Sequence, residues 1–283
     1  KLMNETPVTI TLADQQLLGI IHHAEGEQNG SLADTAVLIV VGGPQYRVGS
    51  HRQFIQLARS LASNGICTMR FDCRGMGDSE GKKVTFDNVC IDIKAAIDTL
   101  QRQQPKIKKI VIWGLCDAAS AALIYAHKDK RVAALVLLNP WLRSDQAMGK
   151  TMVKYYYVQR LLSRDFWIKL LSGKVNVLAS ASDAKGFVAD SVKNDQKGEA
   201  SYQIRMLNGA KQFNGPVCLI LSENDLTARE FSEQVKSDKN WQAFVENKCQ
   251  EHQLDRADHT FSSLEFKNKV AILTADFIKN NVN

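Results

Sequence analysis

The sequence predicts an α/β fold: a mostly parallel sheet flanked by helices, with one helical insertion. Three observations carry this. Continuous apolar runs such as 36–41 and 132–138 suit strands buried on both faces. These runs alternate with segments whose apolar residues recur at helical spacing. The alternation stops near residue 142 and resumes near 214. A gap of that size inside a regular sheet is too long for a bare loop.

Residues 8–12 and 17–23 read as an antiparallel hairpin turning at Ala13-Asp14-Gln15. The run 36–41 is a central strand ending in Gly42-Gly43-Pro44. Phe54, Leu57, Ala58 and Leu61 set a helix over 51–63, stopped by Asn64-Gly65. A strand follows at 66–72. Val89, Ile93, Ala96, Ile97 and Leu100 mark a helix over 86–103, which Pro105 ends. Strands at 110–113 and 132–138 enclose a small-residue helix at 117–127. After the insertion come a strand at 217–221, a helix near 228–239, a strand near 249–255 and a last helix at 263–279. The core is thus 1–141 with 214–283. Residues 142–213 are expected to form a helical cap, amphipathic over 156–171.

Composition narrows the class. Hydrophobic residues at 45% and charged residues at 23% are those of a globular chain. No stretch nears the ~18 apolar residues of a membrane-spanning helix, and no export signal is visible. A cytoplasmic protein is expected, its six cysteines reduced. They form no C-x-x-C pair, so no metal site is expected, and no motif calls for a cofactor. The net charge of +6 is local. Residues 143–213 hold 12 Lys/Arg against 6 Asp/Glu, a net +6, and the rest hold 24 of each. No nucleic-acid recognition motif accompanies the charge.

The chemistry gathers at one edge of the sheet. The strand at 110–113 runs into Gly114-Leu115-Cys116-Asp117-Ala118, and a helix follows. This is the setting of a nucleophile elbow, G-x-S-x-G, with Cys116 in the serine's place. Small residues two before and two after the nucleophile let the turn close, and Gly114 and Ala118 qualify. The helix points its positive end at Cys116, which favours thiolate, while the Asp117 carboxylate opposes it if close. A buried cysteine after a strand is common, so the partners decide. Asp225 follows the strand at 217–221, and His259 lies in the loop before the last helix. Both fall on the rim that carries Cys116, in the order nucleophile, acid, histidine. The expected oxyanion donors are the backbone N–H groups of Asp117 and of Gln45, since Pro44 has none.

These residues carry a family resemblance. Gly42-Gly43-Pro44, the 71–79 segment FDCRGMGDS, the elbow, Glu223-Asn224-Asp225 and Asp258-His259 resemble an α/β-hydrolase over the whole chain. Within that superfamily, GGPQYRVGSHRQF and GLCDAAS resemble the type 1 hydrolases associated with exosortase A systems, which accompany exopolysaccharide production. The resemblance implies a cytoplasmic enzyme with Cys116 as nucleophile, Asp225 as acid and His259 as base. It also makes the 74–79 segment a structural turn, with Asp72 and Asp78 as scaffold. Dienelactone hydrolases share an elbow cysteine, but the large cap does not suit them.

The expected activity is attack of Cys116 on an ester, thioester or lactone carbonyl, with water or a hydroxyl as acceptor. Hydrolase and acyltransferase both remain open. The rival is an α/β-hydrolase scaffold without catalysis that binds a partner. The expected ligand is a small acyl substrate, and the basic cap points to an anionic donor such as an acyl carrier.

Overall fold

The computed structural model describes residues 4–26, 32–143 and 200–282. The chain divides into two units, Lys1–Leu142 with Arg205–Asn283, and Arg143–Ile204. Nearly all of the expected cap, its amphipathic stretch at 156–171 included, lies outside the described residues. Residues 205–213, assigned to the cap from sequence, fall in the first unit. There Met206, Ala210 and Phe213 are buried.

The first unit is built on one eight-stranded sheet. The strands are β1 (Glu5–Leu12), β2 (Gln15–His22), β3 (Thr35–Val40), β4 (Cys67–Phe71), β5 (Lys109–Leu115), β6 (Val132–Leu138), β7 (Val217–Ser222) and β8 (Cys249–Leu254). Their order across the sheet is β1-β2-β4-β3-β5-β6-β7-β8. The β1–β2 hairpin is antiparallel and joins β4 antiparallel. All pairings from β4 to β8 are parallel. Every residue of β3 and of β7 is buried, as their unbroken apolar runs require. Edge strand β8 (CQEHQL) is polar and buries only Leu254, which blunts an open edge against pairing with another chain.

The helices are α1 (Gln53–Ser63), α2 (Cys90–Gln103), α3 (Asp117–Ala126), α4 (Tyr202–Gln212), α5 (Leu226–Ser237), α6 (Lys239–Lys248) and α7 (Leu264–Asn281). Helix α1 buries the four residues whose spacing predicts it. Together with α7 it covers one face of the sheet in a single apolar layer. Helix α3 is buried along nearly its whole length. Its small residues permit this, and Gly209 of α4 comes so close that an added Cβ would lie 1.9 Å from the Leu123 carbonyl. The helix expected near 228–239 is two helices. Asp238 is extended and its carboxylate accepts from Asn240 N–H, ending α5 and capping α6.

The 72–79 segment is scaffold, as the resemblance implies. Buried Asp72 accepts from the Arg47 backbone N–H and guanidinium, and from Asp78 N–H. A side chain on Gly77 would collide with Asp72. Arg74 grips buried Asp92 of α2 through Nε and Nη2. The loop leaving β4 is therefore held by charge-assisted bonds to its own neighbours.

Candidate active site

Cys116 sits between β5 and α3 with φ 61° and ψ −123°. That is a conformation L-residues avoid, and the surrounding turn must enforce it. Its N–H donates to Leu138 O at 2.8 Å, and its carbonyl accepts from Ala119 N–H at 3.1 Å and Trp141 N–H at 3.2 Å. Gly114 completes the turn. A Cβ there would lie 2.7 Å from the Ala118 carbonyl carbon and oxygen. The elbow's small-residue spacing is thus a packing requirement.

Asp225 and His259 converge on this point. Asp225 caps α5, its Oδ2 accepting from Ala228 N–H at 3.0 Å. This fixes the carboxylate and leaves Oδ1 to lie 2.9 Å from His259 Nδ1. At that distance the two side chains form a histidine–carboxylate ion pair. Asp225 foremost, and the Cys116 side chain after it, hold the imidazole in its charged form, raising His259 to about 10. The ring is buried on one side only, with 37% of the side chain exposed.

Two residues that sequence reading passed over hold the histidine loop. Asn139, fully buried at the end of β6 with φ 44°, donates through Nδ2 to Ser222 Oγ at 2.9 Å and to His259 O at 3.1 Å. Its Oδ1 accepts from Ser222 N–H at 2.8 Å. Ser222 Oγ then donates to Asp258 O at 2.8 Å. The signal was faint but present: a polar residue directly after an apolar strand, facing another across the sheet edge.

The loop after β3 carries Gln45, one of the expected oxyanion donors. Gln45 N–H donates to Gly42 O at 3.3 Å, closing a turn within its own loop. The loop amide that reaches the elbow is that of Gly43, which donates to Asp117 Oδ2 at 2.8 Å. Gly42 must lack a side chain for this, because a Cβ would fall 1.9 Å from Asp117 Oδ1. Burial pushes the Asp117 carboxyl up, against the pull of the Gly43 amide. The side chain of Asp117 thus binds the glycine loop, a role its position after the nucleophile did not suggest.

Burial raises the thiols of the core and its edges. Cys67 and Cys218 are pushed up to about 12, and Cys73, Cys90 and Cys249 are raised as well. Among the described residues no group of His, Cys, Asp and Glu could hold a metal ion. No described helix is long and apolar enough to cross a membrane.

This geometry agrees with comparisons to known proteins. A family model described as serine aminopeptidase, S33, matches residues 34–244, well over half the chain. The chain belongs to that family. The family is one of hydrolases, and in this chain the residue between β5 and α3 is Cys116. The Pyrococcus furiosus esterase Pf2001 shares the fold, with a TM-score of 0.67 at 20% identity over 99% of this chain and 92% of that one. An uncharacterized protein of Rickettsia prowazekii (strain Madrid E) is 25% identical over 180 residues, 62% of this chain and 70% of that protein. The polyketide transferase grgF of a Penicillium species is 30% identical over 96 residues, only 31% of either chain. The α/β-hydrolase fold and superfamily expected from sequence are those found.

Proposed function

We propose that this family member is a cysteine-dependent acyl hydrolase in which Cys116, His259 and Asp225 act as a triad on an ester or thioester. The observation that carries the reading is the convergence of the three. An imidazole 2.9 Å from a capped carboxylate also reaches a cysteine held on a strained elbow.

The Cys116 sulfur, its proton already held on His259, attacks the acyl carbon and forms the C–S bond. The C–O or C–S bond of the substrate then breaks, and the same imidazole returns that proton to the leaving group. Water gives up a proton to His259 and attacks the thioester, releasing the acid and restoring Cys116. Asp225 holds the ring's orientation and balances its charge. The Asp117 N–H, at the start of α3, is the proposed donor to the tetrahedral oxyanion. A thiolate also leaves well, so activated acyl donors suit this site better than amides.

Transfer to a hydroxyl acceptor is the second reading. It draws on the partial likeness to a polyketide transferase and on the segments resembling exosortase-associated hydrolases. A silent scaffold has no need of this convergence. The proposed cap, 142–213, and an anionic acyl donor belong to the same reading.

The test uses a panel of acyl thioesters and aryl esters. Cys116→Ala is expected to lose turnover by a factor on the order of 10³ or more while melting like the wild type. Iodoacetamide should label Cys116 ahead of the five other thiols. Near-wild-type turnover in Cys116→Ala on every responsive substrate would reject the triad. Added alcohol that diverts acyl groups into ester product would favour transfer.

A further inference from the structure

The amides of the loop after β3 are all spoken for. Gly43 N–H donates to Asp117 Oδ2 at 2.8 Å, Pro44 has no N–H, and Gln45 N–H donates to Gly42 O at 3.3 Å. An elbow of this kind stabilises its oxyanion with the amide after the nucleophile and with one from that loop. Gly43 is the loop amide that reaches the elbow, and a carboxylate holds it.

That carboxylate is incompletely satisfied. Oδ2 takes the Gly43 bond, while Oδ1 is buried and has no hydrogen-bond partner among the described residues. The side chain is wedged against the loop, since a Cβ on Gly42 would fall 1.9 Å from Oδ1. A buried oxygen left unpaired is costly, and burial raises the carboxyl despite the amides that pull on it. The titratable groups around it come from three elements. Lys83, in the loop before α2, steadies the negative charge, the Cys73 thiol approaches from the end of β4, and Cys116 adjoins it on the elbow with His259 beyond.

We propose that Gly43 N–H is the second oxyanion donor and that the Asp117 carboxylate withholds it, so that Asp117 and the substrate's oxyanion compete for one amide. Asp117 is thus a positioning residue that sets how complete the oxyanion hole is. The proposal rests on the acyl-enzyme reading above and adds a control on the same site. Two negative groups cannot share an amide without repulsion, so the hole is complete only when the carboxyl is neutral.

The experiment uses the full chain and a trifluoromethyl alkyl ketone. The Cys116 sulfur adds to the ketone carbon, forming a C–S bond; the carbonyl oxygen becomes the oxyanion, and the proton stays on His259. Affinity is read from the ¹⁹F resonance of the adduct. Asp117→Asn should bind the ketone about tenfold tighter than wild type near neutral pH. The ratio of the two affinities should fall toward one as pH drops and the wild-type carboxyl takes up its proton. Taking the ratio cancels the titration of Cys116 and His259, which both proteins share. Asp117→Ser is the second variant should the first not fold. In the ¹⁵N-glycine-labelled free protein the Gly43 amide, identified by its loss in Gly43→Ala, should move with the same titration in wild type and stay still in the variant. Equal or weaker ketone affinity in the folded variant at every pH, or a Gly43 amide that does not titrate, overturns the proposal. A ketone that adds to neither protein overturns the triad as well. The Gly43 titration needs no turnover: a Cys116→Ala enzyme that still cleaves esters would overturn the triad and leave that titration in place, whereas unchanged ketone affinity beside an inactive Cys116→Ala would do the reverse.

Discussion

At the residue scale the site depends on how few atoms are left free. Asp225 uses one oxygen to cap α5 and the other to face His259. Asparagine can keep the cap through its side-chain oxygen but loses the charge. Asp225→Asn should therefore still fold, with a Tm lowered by the lost ion pair at pH values where the ring is charged, while kcat falls by a factor on the order of 10³ or more. Parallel melting curves and single-turnover kinetics decide it, and unaltered kcat would remove Asp225 from the triad.

The same pair gives a pH signature. His259 is raised to about 10 from an ordinary value near 6.5. A folded-state value above the unfolded one means that the charged ring stabilises the fold fully below about 6.5. That contribution is lost as pH rises through about 10. The Tm advantage of wild type over His259→Gln should shrink steadily across this interval. An advantage that stays constant from pH 6.5 to 10 would show that the ring is not held charged by its neighbours.

At the element scale, the ends of β6 and β7 are tied to the histidine loop by Asn139 and Ser222. Asn139→Ala strips a fully buried hub of its bonds and leaves Ser222 N–H and His259 O to find other partners. A loss of about 1–3 kcal/mol is expected for such unsatisfied buried groups. Because the loop carries His259, kcat should fall more than KM rises. Urea denaturation and steady-state kinetics measure the two, and a variant as stable and active as wild type would make the tie ornamental.

At the scale of the whole molecule the charge is uneven, with the net +6 confined to 143–213. Most of that segment, including Arg160, Arg164 and Lys169, lies outside the described residues, so the prediction rests on sequence. If the charge recruits an anionic acyl donor, reversing those three should raise KM for such a donor. KM for a small neutral ester should stay as it was. Rising salt should mimic the reversal, because exposed charges are screened beyond about 8 Å at physiological ionic strength. Equal responses from both substrates would leave the segment an ordinary solvated face.

The sequence by itself determined the alternation of buried strands and amphipathic helices, because apolar periodicity is local and each run reports its own burial. It also placed Cys116, Asp225 and His259 on one rim, since each follows a strand of the same sheet. Tertiary structure decided what depends on residues far apart in the chain. The Gln45 amide is turned into its own loop while Gly43 reaches the elbow, and Asp117 Oδ2 binds a partner 74 residues away. Asn139 meets Ser222 across 83 residues and the His259 carbonyl across 120. Where an amide points is fixed by the packing around its loop, and no periodicity in the sequence records it. The break between α5 and α6 lies between these cases. Asp238 is a visible cap residue, but only its extended backbone shows that one helical run has become two.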